Sequence, residues 1–158
     1  MQVGITGHQK RPGIDWKWVE TTLRSEMQKL SHVNAALSSL AIGTDQLFAE
    51  VAISFDIPLV AVIPVQDYKR FFQNDDLIKY NRLLQESEVR DLRWQGDDRE
   101  GFFAAGKFIV DHTDLLFAVW DMQKSNGLGG TADVVQYARQ LSKRIVHLNP
   151  ITQLVAEL

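Results

Sequence analysis

Short apolar runs alternate along this chain with longer segments whose apolar residues step by three and four, the spacings of strands and of one-sided helices. Gln2–Thr6 is the first predicted strand. Asp15 is placed to cap the helix after it, whose apolar positions are Trp16, Val19, Leu23, Met27 and Leu30. Val33–Ala41 is the second strand, with a mixed pattern, and Thr44 is expected to cap a helix carrying Leu47, Phe48, Val51, Ala52 and Phe55. Ile57–Ile63 is unbroken apolar sequence closed by Pro64, as expected of a parallel strand covered on both faces. Asp67 to Ser87 reads as one broken helix or two. Val89–Trp94 is a short, polar strand suited to an edge. Glu100–His112 is helical, Leu115–Trp120 is a central strand, Thr131–Ser142 is helical, and Arg144–Leu148 is the last strand, ended by Pro150.

This alternation predicts a doubly wound α/β fold with a mostly parallel sheet and helices on both faces. Right-handed crossovers then give the strand order 4-3-2-1-5-6, with strand one near the centre. Residues 1–158 read as a single domain, without internal repeat, low-complexity segment or linker. In such sheets a ligand binds beyond the carboxyl ends of the strands, where the strand order reverses.

Composition narrows the function classes. The apolar fraction of 45% is ordinary for a folded domain. No apolar run approaches the roughly 20 residues that cross a bilayer, and no signal-peptide pattern precedes the first strand, so no membrane partner is expected. Cysteine is absent, which excludes disulfides and thiolate chemistry and suits a reducing cytoplasm. A net charge of −3 argues against wrapping a long nucleic acid, though not against one nucleotide held by backbone amides. His32, His112 and His147 share no metal-binding spacing and read as surface or strand-end residues, so neither a metal nor a cofactor is expected.

The candidate chemistry lies at three strand-to-helix turns. The strongest is Gly127-Leu128-Gly129-Gly130-Thr131, where adjacent glycines before a capping threonine suit a phosphate cradle, although a surface loop helped by Ser125 and Asn126 is the plainer reading. At Ile5-Thr6-Gly7-His8, either Gly7 admits a phosphate while Thr6 and His8 donate to it, or Gly7 supplies a positive φ; Lys10 and Arg11 add positive charge nearby. At Gly43-Thr44-Asp45, Asp45 either complements the helix dipole or takes ribose hydroxyls. Asp121, closing a central strand, is placed for chemistry or for ligand hydroxyls, and Asp133 for the dipole of its helix. Tyr68, Phe71 and Phe72 offer a floor for a base, or core. Trp18 lies off the apolar face of its helix, a candidate partner surface.

The ordered set Gly4-x-Thr6-Gly7-His8, Ala41-Ile42-Gly43-Thr44-Asp45-Gln46-Leu47, Ile63-Pro64 with Tyr68 and Phe71, Gly106-Lys107-Phe108-Ile109-Val110, Asp114 to Asp121, and Gly129-Gly130-Thr131-Ala132-Asp133-Val134-Val135 resembles the SLOG superfamily, named from the Smf/DprA and LOG proteins. The resemblance spans about nine-tenths of the chain. It implies a Rossmann-like domain that binds a nucleotide or a nucleotide-derived small molecule, and a homo-oligomer. The LOG branch hydrolyses cytokinin ribose phosphates with a glutamate in Pro-Gly-Gly-x-Gly-Thr-x-x-Glu. Thr131 matches that threonine, but Val134 occupies the glutamate position and Pro-Gly-Gly is missing. The motifs look more like the sensor-type members, whose output here would pass through a separate effector. The expected ligand contacts are therefore Thr6, Gly7, His8, Gly43, Thr44, Asp45, Asp121, Gly129, Gly130 and Thr131. An N-glycosidase of nucleoside monophosphates, with Asp121 or Asp133 as the catalytic carboxylate, is the alternative, and a DNA-processing module the third reading.

Overall fold

The computed structural model describes residues 1–125 and 127–158; Asn126, one of the residues expected in the glycine loop, lies outside the described residues. Seven strands form one sheet: β1 (Gln2–Gly7), β2 (Ala35–Ser38), β3 (Leu59–Val65), β4 (Ser87–Trp94), β5 (Leu115–Val119), β6 (Arg144–Asn149) and β7 (Leu154–Glu157). Five helices connect them: α1 (Trp16–Gln28), α2 (Thr44–Ser54), α3 (Asn74–Gln85), α4 (Asp98–Asp111) and α5 (Thr131–Gln140). The order across the sheet is β4-β3-β2-β1-β5-β6-β7, which contains the order expected from sequence. Every pairing is parallel except β6 with β7.

Strand residues alternate between two cores. Val3, Ile5, Ala61, Ile63, Phe117 and Leu148 meet α1, α2 and α3 through residues such as Leu23, Phe48 and Leu83. Leu37, Val62, Leu116, Ala118 and Ile145 meet α4 and α5 through Ile109 and Val135. Both faces of the central strands are thus covered, the arrangement that their continuous apolar sequence requires. Among the described residues no helix is long and apolar enough to cross a membrane.

Local chemistry sets the boundaries. Asp15 caps α1 as expected, accepting the Trp18 N–H at 3.1 Å. The Asp67–Ser87 segment resolves into a single 3-10 turn, Tyr68–Phe71, followed by α3. β2 is shorter than Val33–Ala41 because Ser38 accepts the N–H of Leu40 and donates to the carbonyl of Asp45, while Leu40 turns away with φ +57°. Pro64 does not close β3; the strand runs to Val65, and a shift in register against β4 accommodates the residue that lacks an N–H. Trp18 is partly buried and packs against the core. β7 was not legible, because all four of its residues are exposed. Its hairpin depends on Asn149, whose side-chain oxygen accepts the N–H groups of Ile151 and Thr152.

Gly4 is where β1 passes under α4. A Cβ there would lie 2.5 Å from a methyl of Ile109 and 2.9 Å from that of Thr113. Gly4→Ala is expected to cost about 1–3 kcal/mol in urea unfolding, the usual range for overpacking. Combined with Ile109→Ala the losses should sum to less than the two singles; strict additivity would show that the strain lies elsewhere.

Candidate functional site

The carboxyl ends of β1, β2, β3 and β5 open onto a cleft of about 370 Å³. All three glycine turns border it, but each glycine has its own reason. Gly7 has no positive φ; a Cβ there would lie 2.4 Å from the Thr44 methyl, so its lack of a side chain lets α2 seat against β1. Thr44 is not the cap of α2. It is fully buried in the first turn, and its N–H and Oγ1 both donate to the carbonyl of His8, at 3.2 and 2.7 Å. Gly43 holds the cap position at φ +89°, close against the backbone of Gln9. The N-terminus of α2 is thereby occupied in part by the β1–α1 loop.

That loop returns to the end of β5. Asp121, with its side chain 14% exposed, accepts the Arg11 guanidinium on Oδ2 at 2.8 Å and the Gln123 N–H on Oδ1 at 3.0 Å. His8 Nε2 lies 3.0 Å from Oδ1 and 3.1 Å from the N–H of Asp121. Burial raises the pKa of the Asp121 carboxyl, but the Gln123 N–H, His8 and Arg11 together hold it below the usual carboxylate value. Burial, with the Arg11 charge beside it, lowers the pKa of His8 against the upward pull of Asp121. In the neutral imidazole, Nε2 accepts the Asp121 N–H. Both Asp121 oxygens are engaged within the protein, so the carboxylate positions Arg11. His147 is no surface residue; it is buried, and its Nε2 is 2.6 Å from the carbonyl of Trp120, which fixes the strand end before Asp121. His32 and His112 are exposed.

The Gly127–Thr131 loop rests on the first turn of α4. Gly127 and Gly129 adopt φ +96° and +89°, and a Cβ on Gly129 would meet the Arg99 carbonyl at 2.6 Å. Gly130 has φ −77°, an ordinary value; it is open to glycine because Ser125 Oγ would lie 2.4 Å from a Cβ. Asp133 accepts the Gly129 N–H at 2.9 Å, which locks the loop and removes that amide from ligand binding. The N–H groups of Thr131 and Ala132, in the first turn of α5, make no hydrogen bond to the described residues. Ser125 Oγ is buried beside them and likewise has no partner among the described residues. Sequence reasoning treated Ser125 only as loop material; its closeness to Gly130 has no sequence signal.

The opposite wall is aromatic. Tyr68, Phe71, Phe72 and Phe102 all line the cleft and stack edge-on or tilted against one another. Tyr68 and Phe72 also belong to the core, one of the two roles expected of them. Asp45 lies between this wall and β1, 8% exposed, with no cation in ion-pair range among the described residues. Burial pushes its pKa up to about 7, against the backbone amides of Ala41 and Ser39, which favour the charged form. Thr6 borders the same cleft.

No family model and no curated protein matches the chain. Solved structures share its fold, two of them as follows. DNA processing protein A (DprA) from Streptococcus pneumoniae superposes with a TM-score of 0.65 at 15% identity, over 94% of this chain and 50% of that one. The protein TM1055 superposes with a TM-score of 0.52 at 14% identity, over 91% of this chain and 71% of that one. This chain therefore spans about half the length of the DprA chain. At these identities the likeness shows the fold alone, the mostly parallel, doubly wound sheet expected from sequence.

Asp45 makes stability depend on pH. Its carboxyl keeps its proton up to about pH 7 in the folded chain, whereas the ordinary value is 3.8. Between these two values the folded state binds more protons than the unfolded state, so stability falls as pH rises through that window and levels off above it. Asp45→Asn should therefore melt close to the parent at pH 4 and above it at pH 8. Equal melting temperatures for the two proteins at pH 8 would show that the carboxylate is not held against its charge.

Proposed function

We propose that this chain binds a nucleotide or nucleotide-derived small molecule in the cleft and acts as a ligand-sensing module. The observation that carries the reading is the convergence, at the start of α5, of two backbone N–H groups and the Ser125 hydroxyl, all without partners among the described residues. A helix N-terminus offering such donors suits a phosphate. Arg11 and Lys124 line the same cleft and add positive charge. The aromatic wall suits a base, and Asp45 suits the ribose hydroxyls, a role for which Asp121 is less available because each of its oxygens already accepts a hydrogen bond within the protein. The phosphate site narrows to Ser125, Thr131 and Ala132, since Gly7 is packed on Thr44 and the Gly129 amide is taken by Asp133.

Asp45 also supports a second reading, hydrolysis of the N-glycosidic bond of a nucleoside monophosphate. A buried carboxyl that titrates near neutrality can exchange a proton at working pH. The alternative carboxylates serve this less well, because Asp121 is neutralised by Arg11 and Asp133 is bound to the loop.

A thermal-shift panel of nucleoside monophosphates and their derivatives tests the first reading. A ligand at a hundred times its dissociation constant should add about 2.7 kcal/mol of stability. Gly130→Val, which displaces Ser125, should abolish that shift while the circular dichroism spectrum stays that of the parent. If no nucleotide moves the melting point of the parent, the reading is wrong; if the variant binds as the parent does, the phosphate sits elsewhere. Chromatography for free base and ribose 5-phosphate separates the second reading. Asp45→Asn should then keep ligand binding and lose turnover, whereas binding without release of base leaves the sensing module.

A further inference from the structure

A second cavity, of about 470 Å³, lies on the other side of the β1–α1 loop. Arg11 lines both cavities. Successive residues of α2 divide between them, Asp45 bordering the first and Gln46 the second. The ridge between is the loop itself, seated on Gly43 and Thr44. The second cavity is lined by three cations, Lys10, Arg11 and Lys79, against the single carboxylate of Asp76. Lys10 takes that carboxylate at 2.8 Å. Lys79 is only loosely held, 3.9 Å from Glu50, whose other oxygen binds Arg82 at 2.6 Å. Arg11 spends one terminal nitrogen on Asp121 and His8; its other two nitrogens have no hydrogen bond among the described residues. The half-buried indole of Trp16 forms part of the same lining.

We infer that the second cavity is a subsite for a second phosphate group, so that the ligand is a nucleotide with two separated phosphates lying across the β1–α1 loop at Arg11. The inference rests on the nucleotide reading of the first cleft and names the ligand class within it. A monophosphate that reaches only the α5 N-terminus leaves the second cavity's excess of positive charge, three cations to the one carboxylate of Asp76, without a ligand anion. A second phosphate meets it, with Arg11 able to serve either group because its fork carries donors on both sides. Where the second phosphate bears a nucleoside, Trp16 gives the additional base an aromatic face.

Calorimetric titration at low salt decides the matter with three probes built on whichever base the parent prefers: the 5′-monophosphate, the 3′,5′-bisphosphate and the 5′-phosphorylated dinucleotide. The expected result is that at least one of the two longer ligands binds about tenfold or more tightly than the monophosphate, a gain of the size of one added charged contact. Lys10→Met/Lys79→Met should remove that gain and leave monophosphate affinity unchanged; both side chains are solvent-facing, so the fold is not at issue. A dinucleotide that outbinds the bisphosphate, with the difference lost in Trp16→Ala, supports a base on the indole; equal gains support a bare phosphate. Equal affinity for all three probes overturns the inference while the nucleotide reading stands. So does a double variant that weakens the monophosphate as much as the longer ligands, because the lysines then act only as a general field. Failure of every probe to bind removes the nucleotide reading, and the inference with it.

Discussion

The carbonyl of His8 accepts two hydrogen bonds from Thr44, and the shape of the cleft follows from that contact. It can form only because Gly7 has no side chain to hold Thr44 away and because Gly43 lets the Gln9 backbone come close. Two donors of the first turn of α2 are then satisfied by protein. The first turn of α5 has no such partner for Thr131 and Ala132 among the described residues. Two helix N-termini, at the ends of the two strands that flank β1, therefore differ in what they can bind. The difference is one of hydrogen-bond accounting, not of helix dipole, since both helices point their N-termini at the same sheet edge.

The same contact fixes the β1–α1 loop as a ridge, and the ridge sets the positions of the charges. Arg11 reaches back to Asp121 at the end of β5, so the loop is tied at both the α2 side and the β5 side. Lys10 extends the tie to Asp76 on α3. These ion pairs are exposed at one partner or both, and their thermodynamic contribution is small. Their effect is positional: they hold the two basic side chains of Lys10 and Arg11 around one short loop.

Asp45 stands apart from this economy of paired charges. Its carboxyl is buried in the first turn of α2, without a cation in ion-pair range among the described residues, beside an aromatic wall, and its ionisation is opposed by the surroundings. Burying an ionisable group without a charge partner costs stability. Groups in that condition concentrate at sites where a ligand supplies the missing donors. Leu40, fully buried at φ +57° in the turn just before α2, is a second departure from local preference at the same place.

What the sequence determined by itself was the layered fold. Runs such as Leu115–Val119 and Leu59–Ile63 are apolar at every position, which only a parallel strand covered on both sides can use, and helical spacing between them leaves few topologies once crossovers are right-handed. The three strand-to-helix turns were legible from their glycines at strand ends, of which Gly43, Gly127 and Gly129 adopt the positive φ that local geometry reserves for glycine. β7 escaped because all four of its residues are exposed, and Pro64 misled because a register shift in the ladder can absorb a missing N–H. The working roles of the turn residues were decided only in three dimensions. That Gly7 makes room for Thr44, that Asp133 consumes the Gly129 amide, that Gly130 makes room for Ser125 and that Asp121 is answered by Arg11 are contacts between segments up to 110 residues apart or between side chains of one loop. Hydrogen-bond capacity is finite, and which donors remain for a ligand depends on which the rest of the chain has already taken; the order of residues carries no record of that.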